Sequence, residues 1–326
     1  MRKKVMATKT KKKMISVIVP CFNEEEALPF FHTETSKVLK KLGTDYELIL
    51  VNDGSSDKTL DVMKSLAKKD KHVVYLSFSR NFGKESAMYA GLCNASGDYV
   101  GFIDADLQHP PILLKDMLNA LETGKYDCAA CRRIDRKGDS KIRTWFARKF
   151  YKLINMISDA QMVDGAGDYR LMTREMADAI ISMSEYNRFS KGIFSWVGFN
   201  TYWIDYENVE RVAGKTSWSF WGLVKYAIDG IVNFSNAPLD LASFIGLGTT
   251  VLAFLYLLFI VIKYAFFGDP VQGWATLACI ILITGGMQLF ALGIIGQYIG
   301  KTYMEVKNRP HYIISDSNKK SINKIK

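Results

Sequence analysis

The stretch that decides the reading is Phe102-Ile103-Asp104-Ala105-Asp106-Leu107-Gln108. It closes an apolar run, Tyr99 to Ile103, that reads as a buried strand. Residues i and i+2 of an extended chain project to the same side, so the Asp104 and Asp106 carboxylates can converge just past the strand end. Like charges that close repel unless a cation joins them. An all-oxygen pair suits a hard divalent ion, Mg2+ or Mn2+. Such an ion on a diphosphate stabilises a departing nucleotide. Read alone, the same residues also fit a solvated turn, a place where Asp is common.

Two further clusters follow two further apolar strands. Ile15 to Pro20 runs into Cys21-Phe22-Asn23-Glu24-Glu25, and Glu47 to Val51 runs into Asn52-Asp53-Gly54-Ser55-Ser56-Asp57-Lys58-Thr59. In open α/β sheets, ligands bind beyond the carboxyl ends of the strands. Taken together, Val-Pro-x-x-Asn-Glu, Asn-Asp-Gly-Ser-x-Asp-x-Thr and Asp-x-Asp-x-Gln resemble the inverting family-2 glycosyltransferases of the GT-A fold. The resemblance covers Ile15 to Asn208, with weaker matching through Lys215.

Between these motifs, strand and helix patterns alternate. Glu24 to Leu42 is amphipathic, with Leu28, Phe31, Val38 and Leu42 as core positions. Asp57 is placed to cap a helix carrying Leu60, Met63 and Leu66. Val73 to Phe78 is a strand, Lys84 to Ala95 a helix, Pro110-Pro111 the start of another, and Tyr126 to Cys131 a fifth strand. This alternation predicts an α/β domain with a mostly parallel, Rossmann-like sheet covered by helices on both faces.

The apolar residues are unevenly spread. Leu241 to Ile262 and Gly273 to Gly300 carry no charge. At helical rise the first run spans about 33 Å, enough for a bilayer core. The net charge of +10 sits in the ends: residues 1–13 hold seven Lys/Arg and no acid, and 301–326 hold seven Lys/Arg and two acids. The remainder is slightly acidic, which excludes the basic stripe of a nucleic-acid domain. Basic tails beside membrane spans suit an anionic cytoplasmic leaflet and put both termini and the catalytic domain in the cytoplasm. The apolar part of the N-terminus, Met14 to Pro20, is too short for an export signal and lacks a cleavage site. Cys128 and Cys131 form a C-x-x-C within a strand, with no second pair to complete a zinc site, and read as structural thiols.

The expected organisation is a basic N-terminal tail (1–13), a GT-A domain (14–216), an interfacial amphipathic helix (217–236), two transmembrane helices (237–300) and a basic cytoplasmic tail (301–326). A second amphipathic stretch, Lys141 to Ile157, fits either the bilayer interface or the domain core.

What the resemblance implies about the site can be placed residue by residue. Asp104 and Asp106 would hold the divalent ion, with Gln108 as a third oxygen ligand or its support. Pro20, Phe22, Glu24 and Asp53 would line the nucleotide site. A carboxylate at Asp53 can read a uracil N–H or paired hydroxyls, or simply close an Asx turn. The chain lacks the Gln-x-x-Arg-Trp motif usual in polysaccharide-building relatives and has only two spans. Its Arg cluster is similar to that of the polyprenyl-phosphate glycosyltransferases, a group including bactoprenol glucosyltransferases and dolichyl-phosphate mannose synthase. In that group Arg132, Arg143 and Arg211 match positions gripping acceptor phosphate or donor diphosphate. Arg133, Arg136 and Arg148 are expected at the surface. Where the group often has a Lys, this chain has Ser217, and Lys215 lies two places earlier as a substitute.

Asp168, in Gly165-Ala166-Gly167-Asp168-Tyr169-Arg170, matches a further motif. A phosphate monoester, with a second pKa of about 6, needs little help to attack, so Asp168 is expected to orient Arg residues or a sugar hydroxyl. The resulting expectation is a membrane-bound, metal-dependent hexosyltransferase. It would move glucose or N-acetylglucosamine from a UDP-sugar to undecaprenyl phosphate, with inversion, for cell-envelope glycosylation. The alternatives are transfer to a lipid hydroxyl or polysaccharide, or a non-catalytic nucleotide-binding membrane scaffold. Membrane lipids are expected partners, nucleic acid is not, and homo-oligomerisation stays open.

Overall fold

A computed structural model of the chain describes residues 13–133, 149, 151–152, 154–158, 161–206, 228–267 and 273–322. The catalytic half begins with β1 (Met14–Cys21), α1 (Leu28–Lys41), β2 (Asp45–Asn52), α2 (Thr59–Lys69), β3 (Val73–Phe78), α3 (Lys84–Asn94), β4 (Tyr99–Phe102) and α4 (Leu113–Glu122). It continues with β5 (Cys128–Arg133), β6 (Ala166–Thr173), α5 (Arg174–Ser182), α6 (Ser190–Trp196) and β7 (Thr201–Tyr206). Two long helices follow, α7 (Ala237–Phe267) and α8 (Trp274–Val306), and then a last strand, β8 (Ile314–Ser317).

The eight strands form one sheet in the order β7-β5-β6-β4-β1-β2-β3-β8. The central block β4-β1-β2-β3 is parallel. Val17, Val19, Leu48 and Leu50 face α1, α2 and α4, while Ile18, Ile49 and Val51 face α3 on the other side, so both faces are buried. A doubly covered sheet of this kind is read in sequence as near-continuous apolar strands. This is the expected GT-A-type α/β architecture.

The structure departs from the alternating pattern at three places. β6, an unanticipated strand, inserts antiparallel between β4 and β5, so the strand after α4 does not pair with β4. α1 starts at Leu28 rather than Glu24, because the Glu24 and Glu25 amides donate instead to Thr59 Oγ1 and Asp57 Oδ2. Lys58, not Asp57, occupies the N-cap of α2, although the Asp57 carboxylate does accept the Thr59 N–H. The C-x-x-C thiols are free and buried, Cys128 on the α3 side and Cys131 on the α4 side, and burial pushes Cys131 up to about 12. They are structural.

α7 and α8 contain stretches of 24 and 27 residues long and apolar enough to cross a membrane. Their large side chains point outward: Phe244 and Leu282 are 72% and 74% exposed. Such surface is stable only in lipid or against a partner. Of the expected interfacial segment, 217–227 lies outside the described residues, while 228–234 is helical. The described part of the other amphipathic stretch packs inward: Ile154 is buried with Met162 and Phe189, bordered by Ile231 and Phe234.

The tail after α8 is not a loose basic end. β8 pairs antiparallel with β3. The Asn318 side chain accepts from Tyr75 N–H and donates to the Val73 carbonyl, and Lys64 pairs with Asp316 at 2.6 Å. Tyr312, 8% exposed, stacks on Phe78 at 5.1 Å. The sheet therefore lies on the same side of α7 and α8 as the residues that follow them. Replacing Tyr312 with Ala should destabilise the catalytic half by about 3 kcal/mol, as loss of a buried aromatic does. Thermal unfolding of the detergent-solubilised protein measures this, and an unchanged midpoint would show that the tail contributes nothing to the folded unit.

Candidate active site

The register brings the ends of β1, β2 and β4 side by side: Cys21 lies opposite Asn52, and Ile18 opposite Phe102. The residues that follow them therefore emerge along one rim. The first two motifs are laced together there. Asn23, at φ 57, accepts the Ser56 N–H on its side chain and donates its own N–H to Ser55 Oγ. The Asx turn sits at Asn52, whose Oδ1 accepts the Ser55 N–H, and not at Asp53.

Asp53 has a different task. It is 4% exposed, and its carboxylate accepts from Phe82 N–H at 2.7 Å and from Gly83 N–H at 3.0 and 3.1 Å. Burial raises its pKa, opposed by those two amides. Gly54 makes the approach feasible. At φ +65, a Cβ there would sit 2.3 Å from the Arg80 carbonyl carbon, so only glycine lets the 80–83 backbone come this close. Phe22, in contrast, offers a ring that is 46% exposed at the rim, with Pro20 and Glu24 half-buried beside it.

Gly83 is the N-cap of α3, and the next residue is Lys84. Its Nζ lies 2.7 Å from Asp104 Oδ1 and 2.7 Å from Asp168 Oδ2. One ammonium thus joins the acid after β4 to the acid on β6. Burial alone would lower the Lys84 pKa, but the two carboxylates raise it instead. Burial alone would raise Asp168, but Lys84 and Lys191 hold it well below the usual carboxylate range. Sequence reasoning missed Lys84. A signal was present, since a cation in the first turn of a helix opposes the macrodipole and calls for nearby acids.

Asp106 is 8% exposed, and its Oδ1 accepts the Gln108 N–H at 3.1 Å, with Leu107 between them at φ 58. His109 lies between Tyr169 and Tyr206, its Nδ1 3.8 Å from Asp104 Oδ2 and without a hydrogen-bond partner among the described residues. No group of three His, Cys, Asp or Glu side chains converges among the described residues. Asp104, Asp106 and Gln108 nevertheless fit a hard divalent cation: all donors are oxygen, and two carboxylates stand close to a common rim. Such ions draw their remaining ligands from substrate phosphate and water.

The Arg residues divide differently from expectation. Arg132 is engaged by Asp205 through Nε at 2.8 Å and Nη2 at 3.1 Å, across the β5–β7 pairing. Arg133, expected at the surface, is half-buried beside Tyr206. Burial and then Cys131 push Tyr206 up to about 12, with Asp104 and Asp106 adding and Arg133 opposing. Arg133 thus lies on the Tyr206 face of the sheet. Arg143, Arg211 and Lys215 lie outside the described residues.

A cavity of about 270 Å³ lies between β6, β7 and α6, lined by Arg170 and Lys191 among others. Arg170 follows Asp168 on the same strand face, 4% exposed, with its guanidinium 3.5 Å from the Phe194 ring centroid. Glu85, next to Lys84, accepts the Ser190 N–H and hydroxyl and so fastens α6 to α3.

Residues 16–181 match the family model described as glycosyl transferase family 2. The bactoprenol glucosyl transferase derived from prophage SfII of Shigella flexneri is 43% identical over 305 residues, 94% of this chain and 98% of that protein. A prophage bactoprenol glucosyl transferase homolog of Escherichia coli K12 is 41% identical over 300 residues, 92% of this chain and 98% of that one. Among solved structures, glucosyl-3-phosphoglycerate synthase from Mycobacterium tuberculosis, in complex with Mn2+, UDP-glucose and phosphoglyceric acid, superposes with a TM-score of 0.47. It is 19% identical, over 68% of this chain and 78% of that one.

The Asp53 clamp yields a direct test. Asp53→Ala leaves the Phe82 and Gly83 amides without their acceptor, at roughly 1–3 kcal/mol each. Hydrogen exchange at these two amides should accelerate sharply while the β1–β2 amides stay protected. Unchanged protection at Phe82 and Gly83 would remove the clamp from the account.

Proposed function

The chain belongs to glycosyl transferase family 2, and we propose that it transfers glucose from UDP-glucose to undecaprenyl phosphate. It is a glycosyltransferase, and its donor, acceptor and membrane orientation are the proposal. The observation that carries this reading is the extent of the likeness to bactoprenol glucosyl transferases. It runs through 94% of the chain and so includes both long apolar helices as well as the catalytic half. Glucose rather than N-acetylglucosamine follows from those relatives' names.

In this reading the donor diphosphate lies over the ends of β1, β2 and β4, with Phe22 against the base. Asp104, Asp106 and Gln108 would hold Mg2+ or Mn2+, which when bound neutralises charge on the leaving diphosphate. Lys84 holds Asp104 and Asp168 together, and with Lys191 it keeps Asp168 ionised at neutral pH. An oxygen of the lipid phosphate attacks the anomeric carbon, the bond to the diphosphate breaks, and the configuration inverts. No proton has to leave the nucleophile, because a phosphate monoester is mostly dianionic near neutral pH.

The state of Asp168 favours this acceptor over a hydroxyl. A hydroxyl nucleophile needs a base whose pKa lies near the working pH. Asp168, held low by Lys84 and Lys191, is a poor one. For a phosphate acceptor it serves instead to orient cations. Arg132 could reach a phosphate only by releasing Asp205, while Arg143, Arg211 and Lys215 retain the roles implied by resemblance. The shared side of the sheet and the tail, with the Lys/Arg-rich ends, supports a cytoplasmic placement of both.

Transfer of labelled glucose into an organic-extractable lipid tests the proposal. The expected product is acid-labile and anionic. Asp106→Ala should abolish transfer with the fold intact, and excess chelator should do the same. Lys84→Met should lower kcat/KM by roughly 10²-fold, the scale of losing one preorganised charge contact. Asp168→Asn should keep activity well above the roughly 10²–10⁴-fold loss that follows removal of a general base. A neutral glycolipid product together with an inactive Asp168→Asn enzyme would establish a hydroxyl acceptor instead.

A further inference from the structure

The second long helix ends in a polar stripe. Tyr298, Lys301 and Glu305 are three and four residues apart on α8 and so share one face. All three reach the catalytic half. The Tyr298 hydroxyl donates to the Ser235 carbonyl at 2.6 Å. Lys301 Nζ pairs with Asp229 Oδ1 at 3.1 Å and donates to Asn233 Oδ1 at 2.7 Å. The Glu305 carboxylate accepts the Tyr186 N–H at 2.9 and 3.0 Å and the Asn187 N–H at 3.3 Å. On a helix this apolar, charged side chains are costly in lipid unless partnered, and they mark functional positions.

Lys301 and Glu305 converge on one residue. Asn187 gives its N–H to Glu305, and its carbonyl accepts from Asn233 Nδ2 at 2.7 Å, the same side chain that Lys301 holds. Both backbone groups of Asn187 are thus fixed from the end of α8. The residues that follow lead to α3. The Arg188 guanidinium lies 4.1 Å from the ring centroid of Tyr89 on α3. His311, in the tail just beyond α8, packs edge-on to Tyr89 at 5.0 Å and stacks on Tyr186 at 5.7 Å. The Ser190 N–H donates to the Glu85 carboxylate at 3.1 and 3.2 Å. Glu85 adjoins Lys84, whose ammonium joins Asp104 to Asp168.

We propose that Glu305 is a positioning residue for the catalytic cluster. By holding the Tyr186 and Asn187 amides it sets the 186–190 segment, and through Ser190 and Glu85 the first turn of α3, which carries Lys84. Lys301 braces the same point through Asn233. The segment is gripped at its start by α8 and at its end by α3, so only Arg188 and Phe189 are left to absorb a displacement of Asn187. Hydrogen bonds to backbone amides are directional, whereas apolar contact is not, so this stripe fixes where the segment sits as well as attaching it. α8 then belongs to the framework of the active site. The inference rests on the reading that Lys84, Asp104 and Asp168 stand at the site of glycosyl transfer, and it holds whichever lipid accepts the sugar.

Glu305→Ala and Glu305→Gln, made in the full chain and studied in detergent, test the assignment. Glu305 is exposed, so both variants should melt at the wild-type temperature. Glu305→Ala should accelerate hydrogen exchange at Tyr186 and Asn187 at least about tenfold, the scale of losing bonds to a charged acceptor. Exchange at Ser190 should accelerate with it, while the β1–β2 amides keep their protection. Glucose transfer from UDP-glucose to undecaprenyl phosphate should lose at least about tenfold in kcat with KM for UDP-glucose unchanged, within the roughly 10²-fold that a misplacement of about 1 Å costs. Glu305→Gln keeps an acceptor oxygen and should recover most of both losses. Wild-type exchange at Ser190 together with wild-type kcat in Glu305→Ala would show that the stripe only attaches the helix, and overturns the proposal. A fall in kcat that Glu305→Gln shares in full overturns it as well, because the lost charge and not the held amides would then be the cause. A wild-type enzyme that transfers nothing to undecaprenyl phosphate, with Ser190 exchange still dependent on Glu305, supports the linkage from α8 to α3 and sinks the proposed function.

Discussion

Two oxygens of Asp53 hold two backbone amides, and the site hangs from that contact. The carboxylate ends β2 and receives Phe82 and Gly83, the residues that lead into α3. Because it is buried among apolar strands, the contact resists water and fixes the helix start. Lys84 comes next, and its ammonium can then reach Asp104 and Asp168 together. Gly54 is part of the same constraint, since any side chain there would push the backbone away.

The electrostatics follow as a sequence of compensations. Asp104 and Asp168 tolerate proximity because Lys84 lies between them. Lys191 and Arg170 add to the charge that holds Asp168 low, and both also line the neighbouring cavity. Under the proposed function, such an arrangement would guide a phosphate nucleophile without a base, whereas a hydroxyl nucleophile would find little help in an Asp168 held this low.

Much of this was legible in the sequence, and the reasons are specific. Apolar runs ending in Asn, Asp or Glu announced β1, β2 and β4 and their shared rim, because side-chain alternation and strand ends obey local rules. Uncharged runs announced α7 and α8. The misses came from contacts distant in sequence. Lys84 meets Asp168 across 84 positions, and no local pattern encodes that pairing. β6 pairs antiparallel by inserting between strands, which alternation cannot show. Arg132 and Arg133 are adjacent, and the β5–β7 register decides that Arg132 meets Asp205 while Arg133 lies beside Tyr206. At Asp53 the sequence shows a carboxylate but not the Phe82 and Gly83 amides that it accepts from.

The last strand has a consequence for how the molecule is made. β8 is synthesised after α8, yet it covers the β3 edge of a sheet whose other strands were complete long before. Until α7 and α8 have been made and β8 has followed them, that edge offers unpaired N–H and C=O groups to any passing chain. Completion of the sheet is therefore tied to synthesis of the two long apolar helices. A nascent chain in which β8 has not yet docked keeps a bare edge and stays vulnerable to aggregation and proteolysis, so the fold is sealed only by its last-made strand.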